Sequence, residues 1–135
     1  MELFEPAEHA TTSTILLVEG DSDLRHLVAY HLTNAGFTVI ETEDGVAALR
    51  EANREPPDVI ILDVRLPQMS GLDVCRELRA GIRTEQVPII MLTARTRAQD
   101  LEQAYAAGAT DHVAKPFSPR DLVERVEKTL APENA

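Results

Sequence analysis

The sequence lacks the features that stabilise secreted proteins or anchor proteins in membranes. It has one cysteine, Cys75, so no disulfide can form within the chain and nothing indicates an oxidising compartment. Tryptophan is absent, and no apolar run approaches the roughly 20 residues needed to cross a bilayer. The N-terminus has no basic region followed by an apolar run, so it does not look like a secretion signal. We therefore expect a soluble, cytoplasmic protein.

Basic residues are also scarce. The chain has 13 lysines and arginines against 23 aspartates and glutamates, a formal net charge of −10. Proteins that bind nucleic acid through its phosphates need a basic face, so the composition argues against direct nucleic-acid binding. The 135 residues suit one domain, which would bury roughly two-thirds of its unfolded surface. We predict an N-terminal tail at 1–12, a single domain at 13–131 and a C-terminal tail at 132–135.

Short apolar runs alternate with segments that have apolar residues at helical spacing. The apolar runs predict strands at Thr14–Val18, Phe37–Glu41, Asp58–Leu62, Val87–Leu92 and Asp111–Ala114. Three of the helices have N-cap candidates, namely Asp44, Ser70 and Ser118. Inward-facing positions on the five helices include Leu24, Leu27, Val28, Leu32, Val46, Leu49, Ala52, Leu72, Cys75, Leu78, Ala98, Leu101, Ala104, Tyr105, Leu122, Val123, Val126 and Leu130. The alternation predicts an α/β fold, a doubly wound five-stranded parallel sheet with five helices on both faces.

Polar residues collect where the predicted strands end. In open α/β sheets, ligands and chemistry gather at the carboxyl ends of the strands. The residues at these ends are Glu19, Gly20, Asp21, Asp63, Thr93 and Lys115. An aspartate can attack phosphorus, acids can hold Mg²⁺, and a hydroxyl and an ammonium can bind the transferred oxygens. The pattern predicts a phosphoryl-transfer site, although the Asp63 segment alone is equally compatible with a loop-capping aspartate.

Four motifs in this order resemble the receiver domains of two-component response regulators. The motifs are Ile15-Leu16-Leu17-Val18-Glu19, Asp58–Asp63 with Leu66-Pro67 and Gly71, Leu92-Thr93-Ala94, and Gly108-Ala109 through Lys115-Pro116-Phe117. The resemblance covers about residues 14–131. It implies the flavodoxin-like strand order 2-1-3-4-5 and a phosphoryl-accepting switch in a phosphorelay. It implies no enzyme activity beyond self-phosphorylation and dephosphorylation at an aspartate.

The resemblance also implies roles for individual residues. Asp63 would be the phosphoacceptor, Thr93 would contact the phosphoryl group and Lys115 would pair with it. The metal ligands would be Glu19, Asp63 and the backbone carbonyl of Arg65. The donor would be a histidine kinase, a phosphotransfer protein or a small molecule such as acetyl phosphate. In addition, the Lys115-Pro116 bond is expected to be cis.

Two positions depart from the family pattern. Receivers usually have a second acid after the first strand, which binds the metal directly, and here that position is Gly20. We therefore predict weak or absent Mg²⁺ binding, and an alternative function as a phosphorylation-independent pseudo-receiver stays open. His112 stands where receivers usually have the tyrosine or phenylalanine that moves together with Thr93, which adds a group titrating near neutrality. The other interpretation of His112 is a half-exposed histidine with no switching role.

The segment from Lys115 to Val123 resembles receivers that precede winged-helix DNA-binding domains. Those receivers dimerise through the fourth helix, fifth strand and fifth helix, using ion pairs between subunits. Asp111, Asp121 and Arg125 match the charges expected there, whereas Leu101 replaces a basic residue. No DNA-binding domain follows in this chain, so we expect output through a downstream protein target, with a homodimer as a further expectation. An unrelated phosphatase with a haloacid-dehalogenase-like site is disfavoured, because it needs a second aspartate where Arg65 stands.

Overall fold

The computed structural model describes residues 12–94 and 98–131, so the predicted tails lie almost entirely outside the described residues. The strands are β1 (Thr14–Val18), β2 (Thr38–Thr42), β3 (Val59–Asp63), β4 (Ile89–Thr93) and β5 (Asp111–Ala114). The helices are α1 (Ser22–Asn34), α2 (Gly45–Arg54), α3 (Gly71–Ala80), α4 (Ala98–Ala107) and α5 (Pro119–Leu130). All strand pairs are parallel and the order is β2-β1-β3-β4-β5, which confirms the predicted doubly wound sheet. Within the described ranges, no helix combines the length and apolar character that a membrane crossing requires.

Three strands are displaced from their predicted bounds. β2 and β3 begin and end one residue later than predicted, and β4 begins two residues later, directly after Pro88. Proline has no N–H to donate to a sheet, which explains the later start of β4. As a result Asp63 pairs with Leu92 in the final position of the ladder, and Thr93 pairs with Ala114. The acceptor candidate and the hydroxyl therefore stand on strands, where the backbone is fixed, and not in the loops that follow.

The sheet is covered on both faces, and alternate residues of each strand enter two different cores. On one face, Ile15, Leu17, Val59 and Ile61 pack against α1 and α5, whose buried residues include Val28, Leu32, Leu122 and Val126. On the other face, Leu16, Val18, Ile60 and Leu62 pack against α2, α3 and α4, which contribute Ala48, Val74, Cys75 and Ala104. A central parallel strand buried on both sides needs a continuous apolar run. This explains the Val59–Leu62 segment, which leads directly to Asp63.

In the part of the chain that the structure describes, side-chain caps begin α1, α2, α3 and α5. The predicted caps are confirmed: Asp44 accepts from the amide of Ala47, Ser70 from that of Asp73, and Ser118 from that of Asp121. Asp21 also accepts from the Leu24 amide at 3.1 Å and so begins α1, which the sequence reasoning did not assign. Each such cap contributes about 1 kcal/mol. The caps on α1 and α3 lie directly after β1 and in the connection from β3, so they help to fix the chain around the carboxyl edge of the sheet.

Four apolar side chains predicted to face inward are exposed, and Ala98 at the start of α4 is one of them. Leu27 is 47% exposed, Val46 53% and Tyr105 44%. Successive helical residues are rotated by about 100°, so a residue next to a buried one points along the flank of its helix. Leu27 precedes Val28 and Tyr105 follows Ala104, both of which are buried. The predicted inward stripes were therefore too wide on α1, α2 and α4.

Arg79, at the end of α3, holds together the amino-terminal edge of the sheet. Its guanidinium donates to the carbonyl of Val87 at 2.7 Å, to that of Gly108 at 2.8 Å and to that of Glu85 at 3.1 Å. It also reaches the Thr110 hydroxyl at 3.3 Å. These acceptors lie in the segments that lead into β4 and β5. One side chain thus ties α3 to the starts of both strands.

Candidate functional site

The carboxyl edge of the sheet brings together four of the predicted site residues. Glu19 follows β1, Asp63 and Thr93 end β3 and β4, and Lys115 follows β5. The two acids and the threonine are buried, with 2% of Glu19, 3% of Asp63 and 2% of Thr93 exposed. The Lys115 ammonium lies 2.9 Å from Asp63 Oδ2 and 3.1 Å from Glu19 Oε1. One cation therefore bridges two buried carboxylates.

Burial and the neighbouring charges shift the proton affinities of these groups. Burial raises the pKa of Glu19 above its usual value, and the charge of Asp63 adds to this effect, whereas the Asp21 amide and Lys115 oppose it. Burial alone would lower the pKa of Lys115, but its bonds to Asp63 and Glu19 outweigh burial, so that pKa is raised. Lys115 therefore stays charged at neutral pH. A permanent positive charge faces Asp63, as a site that receives an anionic group requires.

The second oxygen of Asp63 and its backbone are also held. Asp63 Oδ1 accepts from the Arg65 amide at 3.1 Å, and the Gly71 amide donates to the Val64 carbonyl at 2.8 Å. A Cβ at position 71 would collide with the backbone carbonyl of Asp63. Only glycine permits this approach of the first residue of α3 to the end of β3. The backbone at the end of β3 thus packs directly against the first residue of α3.

Thr93 has a feature that a purely structural threonine lacks. Its Oγ1 is buried and has no hydrogen-bond partner among the residues at 12–94 and 98–131. Leaving a buried hydroxyl unpaired costs about 1–3 kcal/mol. The hydroxyl borders a cleft of about 200 Å³ that is also lined by Ala94, Arg65 and Leu72. The Lys115 amide donates a hydrogen bond to the Thr93 carbonyl at 2.7 Å. The backbones that carry the Thr93 hydroxyl and the Lys115 ammonium are therefore neighbours. This unpaired hydroxyl is available to an incoming oxygen.

The donor set for a metal contains two carboxylates. Glu19 Oε2 accepts from the Asp21 amide at 3.0 Å, and the Asp21 carboxylate is turned away to cap α1. Gly20 contributes no side chain, and no group of three or more histidines, cysteines or acids suited to a metal occurs in the parts of the chain that are described. The oxygens of Glu19 and Asp63 are of the hard type that Mg²⁺ prefers. They fit magnesium in kind, and among residues 12–94 and 98–131 no further histidine, cysteine or acid completes a metal-binding group with them.

His112 lies on the edge strand β5 and makes a contact that the sequence did not predict. Its Nδ1 is 2.8 Å from the hydroxyl of Tyr105, and the two rings meet edge to face with centroids 5.7 Å apart. Tyr105 was predicted to pack in the core and instead holds His112 from α4. No sequence pattern indicates this pair, because the two residues lie on different elements. The predicted cis bond between Lys115 and Pro116 is present nearby.

The residues predicted for a dimer interface are distributed over α4, β5 and α5. Arg125 pairs with Asp111 at 2.8 Å within the same chain, and it also donates to the His112 carbonyl at 2.8 Å. Asp121 is exposed and Leu101 is half-buried. The predicted charges thus lie on one surface, and one expected intersubunit pair is satisfied within the chain.

Sequence reasoning missed Arg25, whose side chain lies directly behind the site. Its Nη1 donates to the Glu19 carbonyl at 2.9 Å, and its Nε lies 3.2 Å from Glu41 Oε1 on β2. Only 12% of the Arg25 side chain is exposed. The available signal was an arginine one turn after the Asp21 cap, between the half-buried Leu24 and the buried Val28. An arginine at that position lies close to the sheet, so its side chain is not expected to be fully exposed to solvent.

The fold and the edge site together define a doubly wound α/β protein of the flavodoxin-like type, with an acid, a hydroxyl and a lysine on separate strand ends. Residues 15–127 match the family model described as the response regulator receiver domain. The chain therefore belongs to the response regulator receiver domain family and is a two-component signalling domain. Members of this family interact with histidine kinases, and phosphoryl acceptance at an aspartate is typical of them.

Curated relatives and solved structures agree with this assignment. The chain is 40% identical over 116 residues to the alkaline phosphatase synthesis transcriptional regulatory protein PhoP of Bacillus subtilis, covering 86% of this chain and 48% of that protein. It is 37% identical to the phosphate regulon transcriptional regulatory protein PhoB of Escherichia coli, covering 86% of this chain and 51% of that protein. The chain thus spans about half the length of these relatives.

Two solved receivers have the same fold. The chemotaxis response regulator CheY4 of Vibrio cholerae superposes with a TM-score of 0.85 at 33% identity, covering 89% of this chain and 100% of that one. The receiver domain of a sensor histidine kinase from Pseudomonas aeruginosa superposes with a TM-score of 0.82 at 35% identity, covering 89% of this chain and 98% of that one. The second structure has a magnesium ion coordinated in its active-site cleft.

Proposed function

We propose that this receiver accepts a phosphoryl group on Asp63 and relays the signal through protein contacts. The observation that carries the proposal is the buried Asp63 carboxylate paired with Lys115 at 2.9 Å, near the Thr93 hydroxyl, which has no hydrogen-bond partner among residues 12–94 and 98–131. An oxygen of Asp63 would attack phosphorus in a phosphohistidine or acetyl phosphate. The bond between phosphorus and the donor nitrogen or oxygen would break, and its electron pair would leave with the donor. Lys115 and Thr93 would then bind the oxygens of the transferred group.

Magnesium is the cofactor that we propose for this step, held more weakly than in a site with a third acid. The ligands would be Glu19, Asp63 and the backbone carbonyl of Arg65, while Gly20 supplies none. When bound, the ion would offset the charge between the carboxylate and the incoming phosphoryl group. Lys115 already neutralises part of that charge, since it pairs with both acids. A weakly bound metal is therefore compatible with phosphoryl acceptance.

Thr93 and His112 are the residues that we propose to report phosphorylation to the surface. Movement of Thr93 toward the phosphoryl group would leave space beside β4, and the His112 ring would turn toward it. His112 would first have to give up its 2.8 Å contact with Tyr105. The loss of this contact would change the α4–β5–α5 surface. The signal would then be visible to a partner protein on that surface.

The proposed partners are a histidine kinase or phosphotransfer protein as donor and a downstream protein as target, in the cytoplasm. We propose no direct contact with nucleic acid, which a net charge of −10 opposes, and none with a membrane. A homodimer through α4, β5 and α5 would exchange the Arg125–Asp111 pair between subunits, with Leu101 making an apolar contact. Sedimentation with and without acetyl phosphate tests this dimer, and a monomer under both conditions would contradict it.

Intact-mass measurement tests the proposed function. Incubation with acetyl phosphate and Mg²⁺ should add the mass of one phosphoryl group, which base treatment removes. Asp63→Asn should abolish this addition, and Asp73→Asn, which changes an exposed acid on α3, should retain it. An unmodified wild-type protein would favour a pseudo-receiver that binds partners without phosphate. Modification that persists in Asp63→Asn would place the acceptor elsewhere.

A further inference from the structure

Arg25 acts on the phosphoryl-acceptor site without contacting Asp63. We infer that it is a positioning residue, which fixes the turn Glu19–Asp21 and so keeps the Glu19 carboxylate against Lys115. This inference rests on the proposed function of Asp63. Arg25 is separate from the site residues Asp63, Thr93 and Lys115. The positioning role that we infer for it depends on the glycine at position 20.

The turn is held at each end by a different bond. The Glu19 amide donates to the Thr42 carbonyl at 3.1 Å, and the Asp21 carboxylate accepts from the Leu24 amide at 3.1 Å. Between these points lies the Glu19–Gly20 peptide, whose carbonyl accepts from Arg25 Nη1 at 2.9 Å. Arg25 therefore fixes the orientation of the peptide group that separates the Glu19 side chain from the cap of α1.

Gly20 makes this bond more important than it would be elsewhere. Glycine has the greatest backbone freedom of any residue, so a glycine in the middle of the turn leaves the neighbouring peptide free to rotate. A side chain at position 20 would restrict that rotation, and there is room for one. A Cβ there would lie 3.6 Å from Pro67 Cδ and 3.7 Å from the Glu43 carbonyl, which are ordinary contact distances.

Arg25 is itself anchored from the edge of the sheet. Its Nε pairs with Glu41 Oε1 at 3.2 Å, and His26 Nε2 lies 3.8 Å from the same oxygen. The planar guanidinium can therefore bond Glu41 on one side and the Glu19 carbonyl on the other. A lysine has a single ammonium that cannot reproduce this fixed geometry. β2 thus supports the turn through Arg25.

The turn connects to the acceptor through one carboxylate. Glu19 Oε2 accepts from the Asp21 amide at 3.0 Å, and Glu19 Oε1 lies 3.1 Å from Lys115 Nζ. The Asp21 amide belongs to the peptide group that follows Glu19–Gly20. Rotation of the Glu19–Gly20 peptide would therefore displace the Asp21 amide, and Glu19 Oε2 would lose the bond that directs Glu19 Oε1 at Lys115. Lys115 would then be held by Asp63 alone. Its ammonium would be less well placed for the incoming phosphoryl group.

The test compares Arg25→Met with Arg76→Met in two backgrounds, wild type and Gly20→Ala. Arg76 forms an exposed pair with Asp73, so its replacement removes the same charge away from the site. The measured quantities are the kcat and KM for acetyl phosphate and the protection of the Asp21 amide against hydrogen exchange, which NMR measures and which reports its bond to Glu19 Oε2. Circular dichroism establishes that each variant is folded, and Arg25→Lys and Glu41→Gln serve as milder changes if Arg25→Met does not fold.

We expect Arg25→Met to lower kcat about tenfold, which corresponds to about 1.4 kcal/mol, with KM unchanged. It should also lower the exchange protection of the Asp21 amide, because the bond from this amide to Glu19 Oε2 is lost. In the Gly20→Ala background, Arg25→Met should change the logarithm of each measured quantity by less than half as much as in the wild-type background. The reason is that the alanine already restricts the turn. Arg76→Met should change neither quantity.

Two outcomes would overturn the inference while leaving the proposed function intact. One is a wild-type rate in Arg25→Met, and the other is an equal loss in the wild-type and Gly20→Ala backgrounds. If even the wild-type protein is not phosphorylated, the proposed function fails instead. The exchange protection of the Asp21 amide then still tests the positioning role, since it needs no phosphoryl transfer, and unchanged protection in Arg25→Met would refute it.

Discussion

Restoring an acid at position 20 should strengthen magnesium binding. The change is Gly20→Asp, and the structure has space for the new side chain, since a Cβ at this position meets only ordinary contacts at 3.6 and 3.7 Å. The new carboxylate would join those of Glu19 and Asp63 at the carboxyl edge of the sheet. The donor set would then have three acids where the wild-type chain has two.

The size of the effect follows from electrostatics. A carboxylate about 4 Å from a divalent ion contributes about 2 kcal/mol at the dielectric constant of water. This corresponds to a Kd for Mg²⁺ that is about 30-fold lower. Without metal, the same carboxylate adds repulsion of roughly 1 kcal/mol with a neighbouring acid at that distance, so metal-free Gly20→Asp should unfold at lower urea concentration than the wild type.

Calorimetric titration with Mg²⁺ measures the affinity, and Gly20→Asn is the matched control. Asparagine has nearly the same shape as aspartate and no charge, so it should produce only a small part of the gain. The reasoning would be refuted if wild type and Gly20→Asp bound Mg²⁺ equally well, because residue 20 would then have no part in the metal site. Equal gains in Gly20→Asp and Gly20→Asn would show that shape, and not charge, is responsible.

Two further predictions concern stability. Arg79→Met should lower the free energy of unfolding by about 3 kcal/mol, because the carbonyls of Val87 and Gly108 lose a charged donor. Urea unfolding measures this change. A smaller decrease in the free energy of unfolding than in Arg76→Met would contradict the prediction. Glu19→Gln should gain stability relative to the wild type as the pH rises from about 4.5 to 7. Folding raises the pKa of Glu19 above its ordinary value of 4.5, so the wild-type protein loses stability as this carboxyl ionises, whereas the variant does not. Urea unfolding at the two pH values checks the sign, and a constant or shrinking difference would exclude it.

The sequence was sufficient to predict the sheet, its parallel direction and the residues at its carboxyl edge. Two local signals carried that prediction, namely apolar runs of strand length and polar residues directly after them. The bounds of β3 and β4 were less accurate, because the ladder continues through Asp63 and Thr93 although both are polar. A polar residue can end a buried strand when its side chain projects into a site.

The contacts between different elements could not be predicted. Arg25 reaches Glu19 and Glu41, and Tyr105 reaches His112, in each case from a helix to another element. Such pairs depend on helix rotation and on the distance between elements, which no periodicity in a single sequence encodes. The assignment of Tyr105 to the core failed for this reason.

The contact between Gly71 and the end of β3 determines which parts of the domain can move. With no side chain between them, the first residue of α3 packs directly on the backbone of Asp63, so we expect the two segments to move together. When a group binds to the Asp63 carboxylate, we therefore expect little movement on the side of α3. We expect displacement on the other side of β3, where the Thr93 hydroxyl has no hydrogen-bond partner among the described residues and the His112 ring is bonded to the Tyr105 hydroxyl. We therefore expect the α3 side of Asp63 to stay in place and the β4–β5 side to respond when the proposed acceptor is modified.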